Sequence, residues 1–466
     1  VGLNLSGCAA EAVNGAGNGK DSQAPDGPIP WSGALRPTGD ELSPLRGLQP
    51  RRSIIHLHSP WSHDACDGEG TDAEGAPNLS CLADLRAGLC STAVDLAFLT
   101  DHPAHAGEQP WEDLFYDEAG DERIPGDDGQ TIATRVPCGA PNDDHRVLWM
   151  PGIEDELMPV SLKVHAGADA AENDRLYNGF DAEAIAADVA AGSTVLLAHT
   201  EQRDPAVLAS LIDVGLQGVE LFNLHAMFDP DIRADYLGLD QMGWLADVAP
   251  FTSESGTAEP DLLFLAVLQQ QDISIETWDG LNAIRPVVGT AGTDAHQNVL
   301  PILLRDGERG DSYRRMLRWF SNMVLVESGE PTPATAQAAL EAGRLYVAFE
   351  VLGTPETVDF HLEGPDGAVT EMGSTATGLG TLHVGCPTLA PSAPRGEEAP
   401  EISVSVFRDG ELWQEGCGDF EVTQSGVYRM RATMIPYHLR DFLGEAPDVW
   451  LHEYPWIYTN PLHVAP

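Results

Sequence analysis

The chain reads as an α/β protein: seven buried-type strands alternate with helices up to about residue 345, and an antiparallel β-sandwich follows over 346–466. Two observations predict this organisation. Short apolar runs alternate with amphipathic stretches from residue 53 to about 345, and beyond Leu345 the helix signals stop while Val, Thr, Tyr and Gly dominate. A third observation concerns chemistry. Histidines and carboxylates recur at the C-terminal ends of the apolar runs, where barrel enzymes build their sites because the following loops converge there.

The strand candidates run in order through Ser53–His58, Val94–Leu99, Val147–Ile153, Ser161–Val164, Thr194–Ala198, Gly218–Phe222 and Pro286–Gly289. Helical segments lie between them at Leu79–Thr92, Asp181–Ala191, Pro205–Val214 and Glu259–Gln271. The last two begin at or beside proline, which suits a first helical turn. Such alternation predicts a parallel sheet closed or nearly closed into a barrel, one strand short of the usual eight. After residue 345 the period becomes two, in Val358–Leu362, Ile402–Val406 and Val427–Arg431. Pro365-Asp366-Gly367 and Arg408-Asp409-Gly410 supply the turns.

Composition narrows the partners. Hydrophobic residues make up 42% of 466, enough for a substantial core. The net charge of −48, from 73 acidic against 25 basic residues, repels nucleic acid and anionic headgroups and excludes both as main partners. Lys20 and Lys163 are the only lysines. An acidic, Lys-poor surface suits a saline medium, and a GC-rich genome encodes the same bias. No apolar run reaches the ~18 residues of a membrane span.

Leu5-Ser6-Gly7-Cys8 resembles the end of a bacterial lipoprotein signal, in which the Cys becomes the lipidated N-terminus. Ala9 to Gly33 has the Gly, Ala, Asn, Asp and Pro content of a flexible tether. Residues 1–50 are therefore read as lipobox and tether, and the chain as an exported lipoprotein that meets the membrane only through this anchor. Six further cysteines form no C-x-x-C pair, which excludes zinc sites of that type. Their even number predicts disulfides. Cys386 and Cys417 are expected to bridge, and Cys66, Cys81, Cys90 and Cys138 to pair in one of three ways.

His56 and His58 close the first strand candidate, Asp101 and His102 the second, Glu154 the third, His165 the fourth and His199 the fifth. Asp294 and His296 follow the last. A His-x-His pair on extended chain turns both rings to one side, because side chains alternate with period two. Imidazole suits zinc, iron or manganese, and carboxylates can bridge two such ions. Each fragment is short enough to recur by chance. Their gathering at one rim without a cation would leave costly buried polar groups.

Residues 56–64 (His-Leu-His-Ser-Pro-Trp-Ser-His-Asp), Leu-Thr-Asp-His (99–102), Gly-Ile-Glu (152–154), Leu-Leu-Ala-His (196–199) and Gly-Thr-Asp-Ala-His (292–296) resemble the ordered motifs of the PHP (polymerase and histidinol phosphatase) superfamily. The resemblance covers residue 53 to about 300. It implies a distorted seven-stranded (β/α) PHP barrel over 51–345, up to three metal ions, and hydrolysis of phosphoesters. The implied ligands are His56, His58, Asp64, His102, Glu154, His165, His199, Asp294 and His296. Glu154 matches the position that bridges two metals, and with His199 and Asp294 it is assigned to catalysis. At the end of the first motif His63 competes with Asp64, which the spacing from His58 favours. His165 lies close behind Glu154 for this family. His105, His145 and His225 match no motif and read as surface or core histidines. The tail 456–464 resembles exported carbaryl-hydrolase-like members, which implies carbamate or other ester substrates.

The expected function is a metal-dependent hydrolase with two or three divalent transition metals (Zn, Mn or Fe) acting on a small-molecule ester. A phosphoester attacked by metal-held hydroxide comes first, with a carbamic or carboxylic ester on the same site as alternative. A phosphatase should present cations near the metals, and Arg203, Arg233, Arg285 and Arg305 are the candidates. For Arg203 an exposed salt bridge is an equal reading. The rival class is a non-catalytic surface binding protein, against which the unbroken motifs argue.

Overall fold

The computed structural model describes residues 27–33, 37–139 and 144–465. Its first part carries β1 (Leu48–Ile54), β2 (Leu96–Asp101), β3 (Glu122–Pro125), β4 (Thr131–Pro137), β5 (Arg146–Ile153), β6 (Leu157–Val160), β7 (Thr194–Leu197), β8 (Gly218–Asn223) and β9 (Val288–Gly292). β1, β2 and β5 pair in parallel, as do β7, β8 and β9. β6 joins the two sets, antiparallel to both β5 and β7. A parallel bridge between Leu57 and Ala295 brings the chain after β1 beside the chain after β9.

Side-chain alternation gives the strands two apolar faces. Ala97, Leu99, Val195 and Leu197 pack in one core, while Leu96, Phe98, Leu196 and Ala198 pack in another with Leu340 of helix Pro333–Glu341. Burial on both faces demands a near-continuous apolar run, as in Leu96–Leu99 and Val195–Leu197.

The all-parallel expectation fails at the fourth strand. Only Glu154, Asp155 and Glu156 separate β5 from β6, and so short a link reverses the chain. The strand is therefore Leu157–Val160 rather than Ser161–Val164, and His165 does not stand at a rim shared with the parallel strands.

β10 (Ser321–Glu327) lies antiparallel to β1, and β11 (Leu345–Ala348) antiparallel to β10. The remaining strands are β12 (Phe360–Glu363), β13 (Val369–Glu371), β14 (Thr375–Thr377), β15 (Thr381–Val384), β16 (Glu401–Arg408), β17 (Glu411–Glu415), β18 (Gly418–Glu421), β19 (Gly426–Ile435), β20 (Tyr454–Thr459) and β21 (Leu462–Ala465). β20 pairs with both β11 and β19, so hydrogen bonding continues from the first part into the last as a single 17-stranded sheet. β13, β12, β15 and β18 form a separate four-stranded sheet. The fold is thus mixed α/β with one large sheet.

Residues 27–33, placed within the expected tether, lie against the folded body. Ile29 bridges Arg395, and Trp31 donates from Nε1 to Asp261 Oδ2 at 3.1 Å with the Arg318 guanidinium over its ring. The lipobox falls outside the described residues. Disulfides join Cys66 to Cys81, Cys90 to Cys138 and Cys386 to Cys417. Three bridges fit an oxidising environment outside the cytoplasm. Among the described residues no helix is long and apolar enough to cross a membrane.

Candidate metal centre

The first pair is placed by the extended chain just past β1. His56 O accepts from Asp294 N at 3.0 Å and His58 N donates to Ala295 O at 3.2 Å, so the first and last motifs are laced together by backbone. Both rings are fully buried, and their Nε2 atoms stand 3.1 Å apart. Asp294 Oδ1 is 3.3 Å from each. Each Nδ1 is already engaged: that of His56 by Glu220 Oε1 and that of His58 by Ser62 Oγ, both at 2.8 Å. One nitrogen per ring is left to face the cluster.

The other motif residues close around this pair. His102 Nδ1 lies 3.0 Å from Glu154 Oε2, and His102 Nε2 lies 3.6 Å from Asp64 Oδ1. Asp64 Oδ2 is 3.3 Å from His296 Nε2, and the His296 ring stacks on His58 at 3.6 Å. His199 Nε2 is 3.6 Å from both Glu154 Oε1 and Asp294 Oδ2. His199 and Asp294 hold left-handed backbone at φ 53° and 48°, a strain characteristic of functional positions.

Three donor groups result: His58, Asp64, His102 and His296; His56, His58 and Glu154; His56, His199 and Asp294. Eight of the nine residues implied by the motifs fall in them. His165 does not, because its Nε2 meets Gln109 O at 2.9 Å and its Nδ1 the Tyr177 hydroxyl at 3.3 Å. Asp64 rather than His63 reaches the cluster. Asp101 instead accepts from Ser59 N and Ser59 Oγ, which fixes the loop after His58, and burial pushes its carboxyl up to about 6.

The residues fit divalent cations. Glu154 Oε2, Asp294 Oδ2, His296 Nε2 and Asp64 Oδ1 are buried without a hydrogen-bond partner, an expensive state for donors and acceptors alike. Two ligands each ~2.0–2.2 Å from a tetrahedral ion stand roughly 3.3–3.5 Å apart, close to the 3.3 Å that separates Asp294 Oδ1 from His56 and His58 and Asp64 Oδ2 from His296. Electrostatics agree. Burial opposes charge on His102, yet Asp64 and Glu154 hold its imidazolium up to about 11. His199, with Glu201, Asp294 and Glu154 outweighing burial, rises to about 9. Burial and neighbouring imidazoles push His58 down. Burial alone would raise Glu154 and Asp294, but the surrounding imidazoles hold both low.

Glu220 and His225 were not among the expected ligands. Glu220, buried in mid-β8, binds His56 Nδ1 with one oxygen and accepts with the other from His199 N at 2.9 Å and Asn223 Nδ2 at 2.8 Å. A Cβ on Gly292 would collide with that carboxylate, which explains the glycine. A sequence signal existed, because a carboxylate within the apolar run Gly218–Asn223 demands a buried partner. His225 is half-exposed, with Nδ1 3.4 Å from Asp294 Oδ2. It borders a cavity of about 330 Å³ that also touches Asp64, Asp294 and His296.

No family model matches the chain, and no curated protein does. It is similar to a solved two-domain protein from Bacteroides vulgatus ATCC 8482, described as containing a predicted PHP-like metal-dependent phosphoesterase. Identity is 11%, with 91% of this chain and 99% of that chain covered at a TM-score of 0.37, too loose an overlap to carry an inference.

Proposed function

We propose that this chain is a metal-dependent hydrolase of small-molecule esters. In this reading β1, β2, β5, β6, β7, β8 and β9 form a distorted seven-stranded PHP-type (β/α) barrel, the last part is a β-sandwich, and Cys8 anchors the exported protein to a membrane. The observation that carries the proposal is the convergence of three donor groups in which Glu154 Oε2, Asp294 Oδ2, His296 Nε2 and Asp64 Oδ1 are buried without a hydrogen-bond partner. His58, Asp64, His102 and His296 would hold one ion, and His56, His199 and Asp294 another. Glu154 would join them, since its Oε2 faces His102 and its Oε1 faces His199. Zinc, manganese or iron suits this mixture of imidazole and carboxylate. Such ions would lower the pKa of a water and polarise the scissile ester.

The protein's own part is positional. Glu220 and Ser62 fix the ring orientation of His56 and His58, and Glu154 sets the separation of the two groups. His225 stands free enough to contact substrate in the cavity.

A second reading concerns the ester. The resemblance of the motifs favours a phosphoester, but among the described residues no Lys or Arg lines the cavity beside Asp294 and His296. Arg203 pairs with Glu156 at 3.1 Å, Arg233 donates to the carbonyls of Met227 and Asp240, and Arg285 donates to Ile212 O. An uncharged carbamic or carboxylic ester needs no cation clamp. The test is chelation, reconstitution with Zn, Mn or Fe, and assay against matched phosphoester, carboxylic ester and carbamate substrates. Hydrolysis lost with the metal and restored by it supports the proposal. A metal-loaded protein inert toward all three classes refutes it.

A further inference from the structure

We infer that the substrate is an amphiphile: an uncharged ester whose apolar chain lies along the cavity beside the metal centre. This rests on the hydrolase reading and adds what the ester is attached to. The cavity sorts its walls by polarity. Its polar edge is Asp64, His225, Asp294 and His296. The other polar groups touching it are already committed. Asp229 caps helix Pro230–Asp235 by accepting from Asp231 N and Ile232 N. Asp311 accepts from Val299 N and Leu300 N and pairs with Arg309. Asn298 donates to Asp64 O.

What remains is apolar. Leu224, Leu263, Met316 and Trp319 contribute buried walls, each at most 4% exposed. Phe228 and Trp244, in edge contact at 5.1 Å, line another side. Apolar character continues onto the surface from both flanking segments. Met242 and Leu245, beside Trp244, are 49% and 46% exposed, while Val299, Ile302 and Leu303 are 50%, 49% and 73% exposed. Large apolar side chains left in water on two segments that share one cavity mark a binding surface. On a chain of net charge −48 that surface takes an uncharged ligand, not an anionic one.

The experiment is a series of p-nitrophenyl esters from acetate to decanoate with the metal-loaded enzyme. Each methylene that enters the cavity should raise kcat/KM about fourfold until the wall is filled, the factor that ~0.8 kcal/mol per buried CH₂ implies. Val299→Asp should lower kcat/KM on octanoate at least tenfold more than on acetate. A flat or falling series overturns the inference while leaving the hydrolase reading intact. Calorimetry with decanol and butanol separates the two claims without turnover. Tighter binding of decanol supports the apolar channel even for an inactive preparation, and equal binding overturns it even for an active one.

Discussion

Glu220 fixes two imidazoles at once, one through its ring nitrogen and one through its backbone amide. A carboxylate behind a ligating histidine orients the ring and raises its basicity, and its loss typically costs ~10–100-fold in metal affinity. Glu220→Ala should weaken metal binding by that factor in chelator competition. Glu220→Gln should fall between, because its amide oxygen can still accept one of the bonds. Wild-type affinity in the alanine variant would show the carboxylate to be only structural. Glu201 lies behind His199 more loosely, 3.6 Å from Nδ1 and buried with neither oxygen hydrogen-bonded. The motifs made most donors legible, because strand ends and His-x-His spacing dictate where rings point. They could not reveal Glu220, which lies in mid-strand far from every motif.

Asp188, on helix Ala182–Ala190, is a different kind of buried acid. Burial alone pushes its carboxyl up to about 7, and Oδ1 has no hydrogen-bond partner. A carboxyl raised in the folded state keeps its proton longer than in the unfolded chain. Stability is therefore full below the unfolded value near 4 and declines as pH rises toward about 7. Asp188→Asn should abolish this decline and stabilise the protein on the order of 1–3 kcal/mol above neutrality. Parallel melting curves for variant and wild type across that range would reject the assignment.

At the level of elements, the loop after β1 carries Ser62 and Asp64 to the centre. Backbone bonds from Cys66 N to His296 O and from Asp67 N to Gln297 O tie it to the last motif, and the Cys66–Cys81 bridge ties it to helix Leu79–Ser91. A disulfide closing a loop of this length contributes about 3 kcal/mol. Cys66→Ser with Cys81→Ser should lower Tm and, because Asp64 then loses its anchor, weaken metal binding as well. An unchanged metal affinity would place the bridge in stability alone. Reading elements from sequence located the apolar runs of the parallel strands, but the helix expected over Glu259–Gln271 is a 3-10 helix at Pro260–Ala266 with an α-helix only at Asp272–Asn282. The reading also failed at β6, where Leu157–Val160 and Ser161–Val164 lie back to back and only the short turn after Glu154 decides which is the strand and its direction. The error moved His165 to the wrong end of a strand.

Across the whole molecule, the change in composition at Leu345 was legible but the continuity through it was not. β10 and β11 carry the sheet from β1 to β20, a long-range pairing that period alone does not specify. Near this junction Asp261 accepts from Trp31, Arg314 and Arg315, tying residues 27–33 to helix Tyr313–Trp319. Arg315 is fully buried. Asp261→Ala would leave the buried Arg315 with Asp306 and Glu308 and Arg314 with Glu308, both acids partly exposed, and should cost ~3 kcal/mol in chemical denaturation, against little for an exposed acid. A loss under about 1 kcal/mol would mean the arginines find other partners.

One buried cluster should bind several metal ions, which elemental analysis of the purified, reconstituted protein counts. Two or three transition-metal equivalents per chain are expected. His56→Ala and Asp294→Ala should each lose at least one, and His165→Ala none. A chain that stays below one equivalent after reconstitution, or that loses metal equally in His165→Ala, would contradict it.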